Sequence, residues 1–260
     1  MRISIITQED AFVIPRNVEL LLKAEAVEVV SIYSLNAKGS FSNKHSLFLK
    51  GFGVIQSARM GFRMFRSKCY DIVDRLCGGR LPGFKASIKA VSLKSGVPYR
   101  EITNVNSPEF LEELKSRNLD LIVSFSAPCI FPPELLAIPR KGCINLHCSL
   151  LPHYAGVLPS FWTLYNGEKT TGTTVHFMDD KIDNGNILGQ EEVDISDCPS
   201  MFQVIRKTKK IGGDLMVRVV EKIRSGQIES QPNDVSKGSY FTWPTVEQIR
   251  KFRKNGGRLI

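Results

Sequence analysis

The stretch CINLHCSLLPHYAG, residues 143 to 156, sets an amide, Asn145, and an imidazole, His147, two positions apart at the end of an apolar run. On a β-strand, residues two apart point to the same side, so the two groups share a face. An imidazole exchanges a proton near neutral pH, and an amide can donate to a developing oxyanion. Further on, VHFMDDKIDNGNIL (175–188) gathers Asp179, Asp180 and Asp183 in a turn between two strand-like runs. A carboxylate that reaches an imidazole fixes its tautomer and raises its basicity. Taken alone, the Asn–His pair fits a structural role as well as a chemical one. The acidic turn favours chemistry.

Positioning such groups requires a sheet. RISIIT (2–7) and VEVVSIYSL (27–35) read as strands flanking a helix that Pro15 introduces. SIKAVSLKSG reads as a helix ended by Gly96, and VPYREI as a short strand. SPEFLEELKSRN opens with a Ser cap and an early Glu109, read as a capping box. LDLIVSFSA and GCINLHC are continuous apolar runs, as expected of central parallel strands covered on both faces. TTGTTVHFM and NILGQEEVDI alternate more and suggest an antiparallel edge, and a long helix from Ser200 to Gly226 follows. The order predicts an α/β fold: a doubly wound, mostly parallel Rossmann-like sheet, with its ligands at the carboxyl ends of strands.

A hydrophobic content of 42% and a charged content of 23% suit a folded domain with a sizeable core. No apolar run approaches the roughly 18 to 20 residues that span a bilayer, and the N-terminus lacks a signal-peptide pattern, so the expected location is cytoplasmic. Six scattered cysteines show neither a CxxC pair nor zinc spacing, so free thiols and no metal are expected. The net charge of +9 is not evenly spread. Residues 41–80 carry net +6 and residues 237–260 net +5, leaving the rest at −2. Two peripheral segments hold the basicity, which argues against nucleic acid as the partner.

Together the two segments resemble the motifs of the 10-formyltetrahydrofolate-dependent formyltransferases. GCINLHCSLLPHYAG follows N-x-H-x-S-L-L-P-x-[YF]-x-G, and GTTVHFMDDKIDNG follows G-x-T-[VI]-x-x-[MV]-x-x-x-x-D-x-G. The similarity runs from about residue 98 to 228; before it, only the strand–helix order is alike. The resemblance implies a triad of Asn145, His147 and Asp183 and a metal-free transfer through a tetrahedral intermediate. A primary amine would attack the formyl carbon. Asn145 and His147 would stabilise the oxyanion, and Asp183 would orient His147 and help relay the amine proton. The co-substrate would be 10-formyltetrahydrofolate. The resemblance places its pterin against largely backbone groups of two loops, around Cys129, Ile130 and Phe131 and around Met178, Asp179 and Asp180. Cys129 lacks an adjacent base in sequence, so a reactive thiol is not expected. His153 and His176 read as a loop and a strand residue. Ser149 reads as a loop-shaping hydroxyl, since no G-x-S-x-G elbow surrounds it.

The acceptor is narrowed by comparison within that family. TQEDAFVIPRN after the first strand has no glycine for a phosphate loop, against a glycinamide ribonucleotide acceptor. The residues after 228 are too few for the C-terminal barrel of methionyl-tRNA formyltransferases. The expectation is a small-molecule amine, with a nucleotide-linked amino sugar as precedent. Alternatives are a tRNA enzyme lacking that barrel, a formyl-folate hydrolase, and a folate- or nucleotide-binding protein without activity. The expected domain spans 1–235, with a basic helical insertion at about 41–82 and a packed tail at 236–260. In the insertion, aromatic residues recur at helical spacing with Arg59, Arg63 and Arg66 between them. The expectation is burial of those aromatics on the sheet or in a homodimer interface. The arginines would then border the acceptor cleft, with Ser149 and Tyr154 as further acceptor contacts. A free aromatic face rimmed by arginine would instead suit an anionic lipid surface or a phosphate-bearing acceptor.

Overall fold

Strand and helix alternate from the first residues. A computed structural model describes residues 1–10, 12–35, 42–83 and 86–260, with the backbone alone at 42–45. Position 41, the expected start of the insertion, lies outside the described residues. β1 (Arg2–Thr7), α1 (Ile14–Leu22) and β2 (Glu28–Leu35) form the first unit, and α2 (Ser42–Phe52) and α3 (Val54–Leu76) interrupt it. α4 (Ile88–Ser95), β3 (Tyr99–Ile102), α5 (Pro108–Ser116), β4 (Leu121–Phe125), the short α6 (Pro133–Leu136) and β5 (Cys143–His147) follow. Beyond lie β6 (Ala155–Gly156), α7 (Pro159–Tyr165), the hairpin of β7 (Thr170–Phe177) and β8 (Ile187–Asp194), and the long α8 (Met201–Ser225). β9 (Tyr240–Phe241) and α9 (Val246–Lys254) complete the order.

Seven strands make one sheet in the order β3-β2-β1-β4-β5-β7-β8. β1 to β5 run parallel, and β7 and β8 add an antiparallel edge. The pleat divides the side chains between two cores. Leu121, Val123, Ile144, Leu146 and Val175 face α1, α4 and α8, whereas Ile122 and Cys143 face α5 and α6. Burial on both faces explains why β4 and β5 read as unbroken apolar runs.

The capping expectation for α5 is half met. The Ser107 hydroxyl accepts from the Phe110 amide at 3.3 Å, but Glu109 comes one position too early to return the bond. The full capping box stands at α9, between Thr245 and Gln248.

The insertion departs from the expectation of burial. It forms two helices that break at Gly53, whose φ of 81° is left-handed. α2 packs on α9, and Phe52 is buried there beside Ile249 and Phe252. α3 does not bury its aromatics: Phe62 is 64% exposed, Phe65 63% and Leu76 83%. Its one fully buried residue is Asp74, so the side facing the body is the polar one. Among the described residues no helix is long and apolar enough to cross a membrane.

α8 presses on the strand that carries the Asn–His pair. A methyl group at Gly212 would meet Leu146 Cδ1 at 2.6 Å and the Thr173 hydroxyl closer still. Gly212→Ala should cost about 1–3 kcal/mol through overpacking, read as a lower urea midpoint at unchanged slope. An unchanged midpoint would mean that the helix can lift away from the sheet.

Candidate active site

β5 ends where the sheet changes from parallel to antiparallel. Its register pairs Asn145 with Ser124 of β4 on one side and with His176 of β7 on the other. A polar row therefore crosses three strands on the face shared with Cys143. His147 lies one pleat further, at the strand's carboxyl end. All four of Ser124, Asn145, His147 and His176 line a cavity of about 490 Å³.

The Asp183 carboxylate joins them from the turn between β7 and β8. One oxygen lies 3.4 Å from His147 Nδ1 and accepts from the Gly156 amide at 2.8 Å, and the other lies 3.6 Å from His176 Nε2. The carboxylate is only 10% exposed. Burial alone would raise its pKa, but the charge of His147, the His176 hydrogen bond and the Gly156 amide outweigh burial. The carboxyl is held well below the usual carboxylate range. Asp183 itself has a left-handed backbone, φ 49°, and Asn233 donates to its carbonyl at 2.8 Å.

Hydrogen bonds orient both rings. His176 Nδ1 donates to the Phe177 carbonyl at 2.7 Å, and its Nε2 lies 3.3 Å from the Asn145 amide nitrogen and 3.6 Å from the Asp183 carboxylate. The second amide hydrogen of Asn145 is left for the cavity. His147 Nε2 faces the Tyr154 carbonyl at 2.9 Å while Nδ1 faces Asp183. A neutral ring has one N–H, so only the protonated ring donates to both oxygens. The arrangement can present a positive ring and an amide donor to charge that develops on a substrate oxygen.

The cavity's other walls differ in character. Ala127, Pro128, Cys129, Ile130, Phe131, Met178 and Ile182 give the cavity an apolar lining, with Ile130 and Ile182 half exposed. Burial pushes the Cys129 thiol up to about 11, which keeps it uncharged. Opposite stand Leu158, Pro159, Ser160 and Trp243, with Lys209 behind. Lys209 pairs with Asp10 at 2.5 Å. Burial would lower the Lys209 pKa, but the adjacent Asp10 charge raises it, so the ammonium persists. Among the described residues no cluster of His, Cys, Asp and Glu is arranged to hold a metal ion.

Comparison with known proteins gives the family and the fold. The family model described as formyl transferase matches residues 76–220, which is more than half of the chain. The chain belongs to the formyl transferase family. The methionyl-tRNA formyltransferase of Thermodesulfovibrio yellowstonii is 39% identical over 145 residues, 56% of this chain and 47% of that protein. That of Clostridium novyi is 39% identical over 154 residues, 59% of this chain and 50% of that protein. The chain thus spans about half the length of the curated relatives it matches. A sugar N-formyltransferase from a Shewanella species superposes with a TM-score of 0.59 at 19% identity, covering 97% of this chain and 87% of that one. An N-formyltransferase from Helicobacter canadensis, in complex with folinic acid and dTDP-3-aminofucose, gives 0.60 at 17%, covering 96% and 79%. These structures share the fold.

In this member of the formyl transferase family the residues expected from sequence divide into two groups. Asn145, His147, Asp183, Cys129, Ile130, Phe131, Met178 and Asp179 line the cavity. Asp179 spends both carboxylate oxygens on its own turn, accepting from the Lys181 amide and from Asn184, and Asp180 lies outside the lining. The expected acceptor contacts stand elsewhere. Ser149 is buried and donates to the His153 carbonyl at 2.7 Å, shaping the loop. The Tyr154 ring stacks on Phe241, and its hydroxyl donates to Glu168. Arg63 lies over the Phe202 ring at 4.4 Å, and neither it nor Arg59 or Arg66 reaches the cavity, because α3 packs on α8 and the tail. Sequence reading missed His176, taken for a strand residue. Its signal is the antiparallel pairing of GCINLHC with TTVHFM, which sets it opposite Asn145. Lys209 carries no such signal, being one lysine among several on α8.

A depressed carboxyl stabilises the fold above its unfolded pKa, and that contribution fades as pH falls toward its folded pKa. Asp183→Asn should therefore destabilise the chain by on the order of 2 kcal/mol at pH 7. The difference from the parent should shrink below about pH 4, where the unfolded carboxyl protonates. Urea titrations across that range measure it, and a difference independent of pH would refute the electrostatic account.

Proposed function

We propose that this chain transfers a formyl group from 10-formyltetrahydrofolate to a primary amine of a small-molecule acceptor, with a nucleotide-linked amino sugar as the favoured class. One observation carries the proposal. An amide, an imidazole and a buried carboxylate line one cavity together with the apolar side chains of Ile130, Phe131, Met178 and Ile182. The apolar lining fits a flat heteroaromatic ring. The amides of Cys129, Ile130 and Phe131 donate to no other described group, so they are left for the polar edge of a pterin. That donor set suits the folate that the family's name and the folinic acid complex of the Helicobacter canadensis relative suggest.

In this reading the amine attacks the formyl carbon from the side of Leu158 and Trp243. The free hydrogen of the Asn145 amide and the positive ring of His147 stabilise the negative charge that gathers on the formyl oxygen. Asp183 keeps the ring oriented and helps relay the amine proton through water to N10, so that the tetrahedral intermediate collapses by breaking the bond from the formyl carbon to N10 and tetrahydrofolate leaves. His176 orients Asn145 and touches no reacting atom. The exposed Lys181 supplies positive charge at the cavity that suits an anionic acceptor, whereas the Lys209 charge is met by Asp10.

The identity to methionyl-tRNA formyltransferases supports a second reading, in which the amine belongs to aminoacylated tRNA. Acceptor-dependent consumption of 10-formyltetrahydrofolate separates the two. A panel of dTDP- and UDP-linked amino sugars should give turnover, and methionyl-tRNA should not. Turnover with methionyl-tRNA alone would decide for the second reading, and consumption without any amine would mean a hydrolase.

Loss of a general acid–base group or of an oxyanion donor should each lower kcat by about 10²–10⁴-fold. His147→Ala and Asp183→Ala should fall in that range while folate affinity changes little, since the lining presents backbone. His176→Ala should lower kcat less and leave KM for the amine near its parent value. Retained turnover in the His147 or Asp183 variant would remove both from the mechanism.

A further inference from the structure

α3 turns its polar side inward. Gln56 accepts from the Leu259 amide at 2.6 Å, Arg63 covers Phe202, Asp71 accepts from the Ser87 hydroxyl, and Asp74 accepts from the Leu81 amide at 3.0 Å. These contacts tie one face of the helix to α8, the tail and the start of α4. The opposite face carries Ile55 and, one heptad on, Phe62, Phe65, Cys69, Ile72 and Leu76 stepped by threes and fours, and all are exposed. A helix whose apolar stripe faces solvent while its polar stripe faces the protein reverses the usual pattern of a surface helix.

Charge is arranged about that stripe in a definite way. Arg59 and Arg66 border it on one side, and Lys68 and Arg75 on the other. Arg75 pairs with Asp71, while among the described residues Arg59, Arg66 and Lys68 have no ion-pair partner. The acidic residues of α3, Asp71 and Asp74, both point to the body. The outward face thus combines apolar and cationic groups with no acid. Arg250 and Arg253 of α9 add cations at the near end, where they donate to the carbonyls of Lys50 and Gly51.

We infer that α3 lies on an anionic phospholipid surface, with Phe62 and Phe65 entering the headgroup–acyl boundary and Arg59, Arg66 and Lys68 meeting lipid phosphates. Long cationic side chains at the edge of an apolar stripe can bury their stems and keep their charge at the headgroups. A second copy of the chain would cover the stripe but brings the same cations and no acid to meet them. Val54 and Val73 fall within the same arc of roughly 100°. The lack of any acid to meet a second copy's cations favours a lipid surface. The inference is independent of the proposed activity.

Co-sedimentation of the full chain with vesicles tests it, using phosphatidylcholine alone and phosphatidylcholine with about 30% phosphatidylserine. Binding is expected to the anionic vesicles and to weaken with salt. The double variant F62S/F65S and the triple variant R59S/R66S/K68S should each lower partitioning by about tenfold or more. The exposed Phe62 and Phe65 should leave the urea midpoint of F62S/F65S at the parent value, so a loss of binding is not a loss of folding. Absent binding to anionic vesicles, or binding that both variants retain, would overturn the inference. So would a dimer in sedimentation equilibrium that F62S/F65S dissociates, which would show that a second copy covers the face. Capture of an acidic helical protein in place of the vesicles would do the same.

Discussion

The buried carboxylate of Asp183 is the constraint around which the site is built. A carboxylate removed from water needs compensating donors and positive charge, or it protonates. Here the compensation comes from three separate pieces of chain: His147 at the end of β5, His176 on β7 and the Gly156 amide of β6. Each requirement fixes a backbone. The β7–β8 turn must be shaped to lower Asp183 toward the sheet, and Asp179 does so through its bonds to Lys181 and Asn184. The loop after β5 must bring Gly156 back over the strand, and the Ser149–His153 bond and the pairing of β6 with β9 hold it there.

The same charge organises the rings. His176 is oriented by its bond to the Phe177 carbonyl, which sets Nε2 between the Asn145 amide and Asp183, so the amide's position is inherited from a strand backbone. His147 is held between Asp183 and the Tyr154 carbonyl, and its attraction for the carboxylate offsets part of the desolvation. Sheet and helix supply the rigidity. Asn145 and His147 are followed on the opposite face by Leu146, which α8 clamps at Gly212. A site on the last parallel strand, backed by the longest helix, moves little when its loops move.

How far this could be read in sequence depends on whether local pattern or long-range register sets the feature. The strands were legible because burial on both faces writes unbroken apolar runs, and Asn145 with His147 was legible because the pleat has a period of two. Asp183 was found through its motif, not through its turn. His176 was not found as a site residue, because its partnership with Asn145 arises from the antiparallel register between β5 and β7. The Tyr154 carbonyl carries no side-chain signal at all. For α3 the periodicity marked an apolar stripe correctly and said nothing about which way the helix rolls. The arginines were consequently placed at the cleft, and the structure sets them on its far side.

That roll angle is a balance of two burial terms. Rolling α3 by half a turn would cover Phe62, Phe65 and Ile72 and gain about 1.5–3 kcal/mol for each side chain fully withdrawn from water. It would also release Asp71 and Asp74 from their bonds to Ser87 and Leu81, lift Arg63 from the Phe202 ring and break the bond of Gln56 to the tail. Leaving a buried polar group without its partner costs a comparable amount, and an unpaired charge costs more. Polar contacts therefore win in water, and the apolar stripe is left outside. A fold that accepts this exposure carries a surface whose hydrophobic gain is still to be realised. It is realised only where an apolar layer and negative charge occur side by side, which is the order of an anionic bilayer surface.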